Sequence, residues 1–238
     1  MMRCAPGVHE KAAQVLLGAP GLARSGLLDL AAGSGAFLQR LRDLGFADLH
    51  AVEIGGGFSL DGVAPCPVDL NTDFAKAIDR RFSVITATEI IEHLDSPRHF
   101  LGQVRELLEP GGYLLLSTPN VSSWLGRIQF LMSGDLRYFD RHQYDYQRHV
   151  SPMTHTHMEL MLGELGFDLL QYTTAGEYYG PLKRVATAPL HLPLRLFCGP
   201  RVYGDVGIYL ATKAPDQGVL AVKNGQGRLH ATRPIPEP

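Results

Sequence analysis

LLDLAAGSGAF, Leu27 to Phe37, decides the fold. It reads as a strand, Leu27 to Ala31, running through a tight glycine turn into a helix, Gly35 to Leu44, with Gly45 as its stop. Gly33 and Gly35 let the backbone approach a ligand closely, although a plain structural turn would use the same residues. A dinucleotide fingerprint would need one more glycine, and Leu38 stands there. Asp29 lies inside the strand, ill placed for a pyrophosphate but suited to a cationic ligand group.

Outward from this turn, strands and helices alternate, which implies a parallel sheet. Strands are expected at Leu49 to Glu53, Ala64 to Val68, Phe82 to Thr88 and Tyr113 to Ser117. Helices are expected at Val8 to Leu17, at Thr72 to Arg80, and from Ser96-Pro97 to Leu108, the last with Ser as cap and Pro in the first turn. FSVITAT is β-branched and apolar at its centre, as a central strand must be. A helix at Thr154 to Leu165 and strands at Phe167 to Thr173 and Val206 to Thr212 complete the pattern.

Two acids fall at strand ends. Glu53 closes the second strand, where its two oxygens can take both hydroxyls of a ribose. Asp69 follows the third, where it can accept from an adenine amino group or serve as a turn residue before Thr72.

The order D-x-x-x-G-x-G, then Glu, then Asp, then FSVITATEIIEHLDSPRHFLGQVRELLEPGGYLLLSTPN resembles the class I S-adenosylmethionine-dependent methyltransferases. Phe82 to Asn120 is especially similar to the subgroup with the ubiquinone-biosynthesis O-methyltransferases and related bacterial small-molecule methyltransferases. The resemblance spans about residues 25 to 175. It implies a Rossmann-like α/β fold: a seven-stranded, mostly parallel sheet with helices on both faces and the last strand antiparallel. It further implies S-adenosyl-L-methionine held by Asp29, Ala31, Gly33, Gly35, Glu53, Asp69 and Thr88, with Asp29 toward the methionine amino group. Ala31 departs from the family, which usually has a glycine there, so a slightly altered turn is expected.

Glu89, Glu92 and His93 stand at i, i+3 and i+4, which on a helical turn would share one face. Two carboxylates and an imidazole there form a candidate divalent half-site. The Glu-x-x-Glu-His pattern is similar to that of small-RNA 2′-O-methyltransferases, and this resemblance implies Mg2+ held by Glu89, Glu92, His93 and a later histidine, by position His149. Without a metal, Glu89 and His93 would line the cofactor pocket, and His149 is the first candidate for general base, with Glu89 beside it. His142, His155 and His157 are its rivals, and a helix-capping role for His149 is the bland alternative. Thr88-Glu89 replaces the Asn/Asp-Pro-Pro-aromatic turn of many amide- and base-nitrogen methyltransferases, which favours an oxygen acceptor.

The expected domain covers residues 1–213, with a substrate-side insertion at 121–150 and a Leu/Pro-rich cap at 181–200, followed by a disordered tail at 214–238. The insertion carries Trp124, Phe130, Tyr138 and Phe139, either as a roof over the acceptor or as a small second core. The cap, with Lys183, Arg184 and Arg195 among its leucines, reads as a packed cap or homodimer contact ahead of a peripheral membrane contact.

The expected partner is a small-molecule acceptor. Of 238 residues, 45% are hydrophobic and 19% charged, ordinary for a globular chain, and a net charge of −2 argues against a broad grip on nucleic acid. The alternatives are 2′-O-methylation of an RNA terminal ribose, supported by Arg127, Arg137, Arg141 and Arg148, and a non-catalytic S-adenosylmethionine-binding protein. Three scattered cysteines without C-x-x-C spacing fit a reducing cytoplasm. No signal peptide is expected, and no run reaches the roughly 18 apolar residues of a membrane span.

Overall fold

The computed structural model describes residues 6–176, 188–215, 221–223 and 229–231. Strands β1 (Ser25–Leu30), β2 (Ala47–Val52), β3 (Pro65–Cys66), β4 (Phe82–Thr88), β5 (Leu108–Pro119), β6 (Phe167–Ala175) and β7 (Val206–Lys213) form one sheet. Their order is β3-β2-β1-β4-β5-β7-β6. The first five are parallel, and β7 runs antiparallel to both β5 and β6. This is the expected Rossmann-like architecture.

Consecutive apolar residues on the central strands feed two cores, because side chains alternate across a sheet. Leu27, Val84 and Leu115 meet α1 (Val8–Leu17) and α2 (Ala36–Asp43) on one face. Leu28, Ile85 and Leu114 meet α3 (Pro97–Leu107) and α6 (His155–Glu164) on the other. Each such side chain is essentially buried, which stabilises the fold by about 1.5–3 kcal/mol apiece. Ser96 caps α3 as expected, its hydroxyl accepting from His99 N, with Pro97 at the first helical position.

Two elements differ from the sequence reading. Thr72–Arg80 is not a helix. It makes a single 3-10 turn, Phe74–Ala77, and Ile78 is already extended. Asp69 and Thr72 spend their side chains on local backbone groups, and Phe74 is wholly buried. Arg80 must then reach Asp48 on β2, with Nη2 to Oδ2 at 2.8 Å. The second difference is β5, which starts at Leu108 and runs through Pro110-Gly111-Gly112. Its register against β4 jumps from Phe82↔Leu108 to Val84↔Tyr113. The bulge needs glycine: a Cβ on Gly112 would lie 2.9 Å from Glu109 O and 3.1 Å from Ser83 O.

The 121–150 insertion holds α4 (Trp124–Ser133) and α5 (Arg141–Gln147). Within the expected cap, α7 (Ala188–Cys198) is a short helix of 11 residues with Pro193 inside it. Residues 181–187, with Lys183 and Arg184, lie outside the described residues. So does most of the expected tail, apart from a short antiparallel pair, β8 (Ala221–Lys223) and β9 (Leu229–Ala231). Among the described residues, no helix is long and apolar enough to cross a membrane.

Candidate active site

The carboxyl ends of the parallel strands converge, which is where open α/β sheets bind ligands. The turn after β1 is tight. Ala31, Gly33 and Gly35 all have positive φ, at 59°, 57° and 83°. Ala31 therefore takes the left-handed conformation that a glycine would hold without strain, at a cost of about 1–2 kcal/mol. The two glycines differ in use. A Cβ on Gly33 would meet nothing within 4 Å, so that backbone faces open space. A Cβ on Gly35 would lie 3.0 Å from Leu60 Cβ and 3.2 Å from Phe58, so Gly35 admits this loop and not a ligand.

Glu53 links the turn to β2. Gly33 N donates to Oε2 and Gly55 N to Oε1, both at 2.6 Å. Each carboxylate oxygen keeps a second lone pair, so both can still accept from a diol. Asp69 accepts from Asn71 N through Oδ1 at 2.9 Å, which leaves Oδ2. It is therefore both a turn residue and a rim acceptor. Ala31, Glu53, Ile54, Val68, Asp69 and Ile90 line a cleft of about 180 Å³. Apolar walls with two carboxylates at the rim suit a flat heterocycle carrying a diol and an amino group.

Asp29, on β1 two residues before Ala31, is 1% exposed. Thr86 Oγ1 donates to Oδ1 at 2.6 Å across the β1–β4 pair. Burial, opposed by the Thr86 bond and helped by the charge of Glu53, raises its pKa from 3.8 to about 7. Between pH 4 and pH 7 the folded chain thus keeps a proton that the unfolded chain has lost, and stability falls as pH rises through that window. The full loss, reached above pH 7, is about 4 kcal/mol at most. Asp29→Asn should therefore melt higher than wild type at pH 8, with the gap closing toward pH 4. Equal melting at pH 8 would contradict this account.

Beyond β4 the chain turns sharply. Glu89 has φ 52°, and its N–H and carboxylate both engage Ser117: Glu89 N to Oγ at 3.1 Å, and Ser117 Oγ to Oε1 at 2.8 Å. Ile91–His93 form a 3-10 turn that starts after Glu89. The shared helical face expected for Glu89, Glu92 and His93 is therefore replaced by a divided arrangement.

Glu92, His93 and His149 do come together, with one ligand atom from each lying within 4.8 Å of the others. Glu92 is 1% exposed, and Thr118 Oγ1 donates to its Oε2 at 3.1 Å. His93 Nδ1 meets Gln147 O, and His149 Nδ1 meets Tyr138 O, both at 2.7 Å. A carbonyl only accepts, so each Nδ1 carries the hydrogen and each Nε2 keeps a free lone pair in the neutral ring. The rings stand 4.8 Å apart at 75°. Burial lowers the pKa of both histidines, and the neighbouring His149 also pushes that of His93 down. Burial raises both carboxyls, and the nearby Glu89 charge raises Glu92 further. A cation would relieve this buried acid pair. Two imidazole nitrogens and a carboxylate oxygen fit a borderline ion such as Zn2+ or Co2+, or Mn2+ with its mixed nitrogen and oxygen ligation, better than Mg2+. His93 also lines the cleft, so the two sites adjoin.

The rival histidines lie elsewhere. His155 is buried against Tyr172 and Tyr209, while His142 and His157 are exposed. The cap of α6 is Thr154 itself, not His149. Trp124 is buried, Phe139 packs 5.5 Å from the His149 ring, and Phe130 is 55% exposed, so the four aromatics form no single roof. Arg137 turns inward to the buried Asp205 at 3.3 Å. Sequence reasoning missed Thr86, Ser117 and Thr118, whose hydroxyls serve Asp29, Glu89 and Glu92. The available signal was a hydroxyl residue inside an otherwise apolar strand.

Residues 7–172 match the family described as "Methyltransferase domain". The ubiquinone biosynthesis O-methyltransferase of Cupriavidus pinatubonensis is 24% identical over 191 residues, covering 71% of this chain and 69% of that protein. That of Burkholderia ambifaria is 30% identical over 153 residues, covering 60% of this chain and 58% of that protein. A SAM-dependent methyltransferase from Archaeoglobus fulgidus superposes with a TM-score of 0.61 at 18% identity, covering 87% of this chain and 93% of that one.

Proposed function

Since the chain belongs to the methyltransferase-domain family and is a S-adenosylmethionine-dependent methyltransferase, we propose that its acceptor is a hydroxyl oxygen of a small molecule. The observation that carries this reading is the Glu92–His93–His149 cluster beside the cofactor cleft. An amine is nucleophilic once neutral, but a hydroxyl must lose its proton as it attacks, and this cluster is equipped for that step. The similarity to ubiquinone biosynthesis O-methyltransferases supports the same acceptor atom.

When bound, S-adenosylmethionine supplies an electrophilic methyl group, so the protein's task is alignment. Glu53 and Asp69 would hold the ribose and adenine ends, and the open backbone at Gly33 would admit the rest. Glu92, His93 and His149 would hold a divalent ion through a carboxylate oxygen and two Nε2 atoms. A bound ion would supply Lewis acidity to the acceptor hydroxyl. In a metal-free site, His149 Nε2 would take the hydroxyl proton directly. Methylation of an RNA ribose would use the same cluster, but Arg137 is committed to Asp205 and Arg148 stacks over Tyr144.

The test is to incubate the purified protein with methyl-labelled S-adenosylmethionine and small-molecule extract fractions, then to identify the product. Label is expected in a methyl ether. Label appearing only in N-methyl or C-methyl products would refute the oxygen assignment.

A further inference from the structure

The segment from Tyr138 to Arg148 runs beside the cluster, joined to it through backbone carbonyls. α5 buries none of its residues. The segment is bounded by two strained non-glycine residues, Tyr138 at φ 70° and Arg148 at φ 59°. Each end is fastened to the cluster by an imidazole: Tyr138 O accepts from His149 Nδ1, and Gln147 O from His93 Nδ1. Just past the segment, Val150 N and Ser151 N donate to the backbone oxygen of Glu92 at 2.9 and 3.0 Å. The residues that gather at the cluster are therefore the residues that hold the cover.

We propose that residues 138–148 are a cover whose closure is linked to divalent-ion binding, with Tyr138 and Gln147 acting as positioning residues through their carbonyls. The proposal rests on the reading of Glu92, His93 and His149 as ion ligands. An ion on both Nε2 atoms makes each Nδ1–H a stronger donor, and so tightens both fastenings. The carbonyls in turn keep both rings in the tautomer that presents Nε2. Linkage is reciprocal: if the ion favours the closed cover, the closed cover raises ion affinity by the same factor. Closure would then exclude water from the acceptor after the ion is in place.

The experiment is hydrogen–deuterium exchange on the full chain, with and without Mn2+, beside calorimetry of Mn2+ binding. Exchange at amides within 139–148 is expected to slow by about tenfold with Mn2+, while β4 and β5 stay unchanged. Asp140→Ala, which removes the cap on Gln143 N, should weaken Mn2+ binding about fivefold. Asp140→Asn keeps a capping oxygen and removes the charge, so it should bind Mn2+ within about twofold of wild type. Mn2+ binding without a change in exchange would overturn the linkage and leave the ion reading intact. Equal weakening in both Asp140 variants would also overturn it, since charge alone would then explain the effect. Absence of Mn2+ binding would overturn the ion reading and this proposal with it.

Discussion

Glu92→Ala is expected to lower turnover on the order of 10³-fold, about 4 kcal/mol of barrier, while S-adenosylmethionine affinity stays within about twofold. The carboxylate is buried on Thr118 and points toward the two imidazoles, so its loss removes the anionic member of the cluster. It does not line the cofactor cleft, which is why binding should survive. Because Glu92 is 1% exposed and accepts from Thr118, the melting temperature of the alanine variant is measured beside its turnover. Glu92→Gln sharpens the experiment, because an amide oxygen can still accept from Thr118. Excess chelator should abolish turnover of the wild type, and Mn2+ or Zn2+ should restore it better than Mg2+. Full turnover in chelator together with an active Glu92→Gln would remove the ion and leave His149 as the base.

Glu53→Ala should weaken binding of S-adenosylhomocysteine by about 5–150-fold, or about 1–3 kcal/mol, as read by calorimetry. Two losses combine. The ribose would lose its charged acceptor, and Gly33 N and Gly55 N would lose the oxygens they donate to. The second loss loosens the turn, so the effect should exceed that of Glu53→Gln, which keeps one acceptor of the right size. Unchanged affinity in the alanine variant would sink the assignment of this cleft. So would binding of NAD without either sulfur nucleoside.

Local signals made most of the sheet legible. Apart from Asp29 and a few hydroxyls, Leu27–Leu30 and Phe82–Thr88 carry apolar residues on both faces, as a central parallel strand does. Ser96-Pro97 announced α3 because cap chemistry is local. Glu53 and Asp69 were legible because a strand end fixes where the next residue points. Glu89 was harder to read. The spacing to Glu92 and His93 predicts one helical face only if the helix begins at Glu89, and a left-handed residue there breaks the phase. That conformation follows from Ser117, a residue on the neighbouring strand, whose backbone oxygen and hydroxyl both accept from Glu89 N. The tautomers of His93 and His149 were likewise invisible, since they depend on carbonyls far away in the chain.

The position of β7 bears on how the chain is made. The strand of this sheet that comes last in chain order takes a place inside it, pairing seven residues with β5 and eight with β6. Until residues 206–213 leave the ribosome, β5 and β6 each present a bare strand edge, and apolar Leu114 and Leu116 sit on one of them. Lys213 makes one of the last stitches, its buried ammonium donating to Leu108 O at 2.8 Å where β5 begins. Such pairings join distant parts of the chain and are slow to form. Before β7 is in place the sheet is therefore a sticky half-sheet, and a chain truncated before residue 206 would lack the strand that joins β5 to β6.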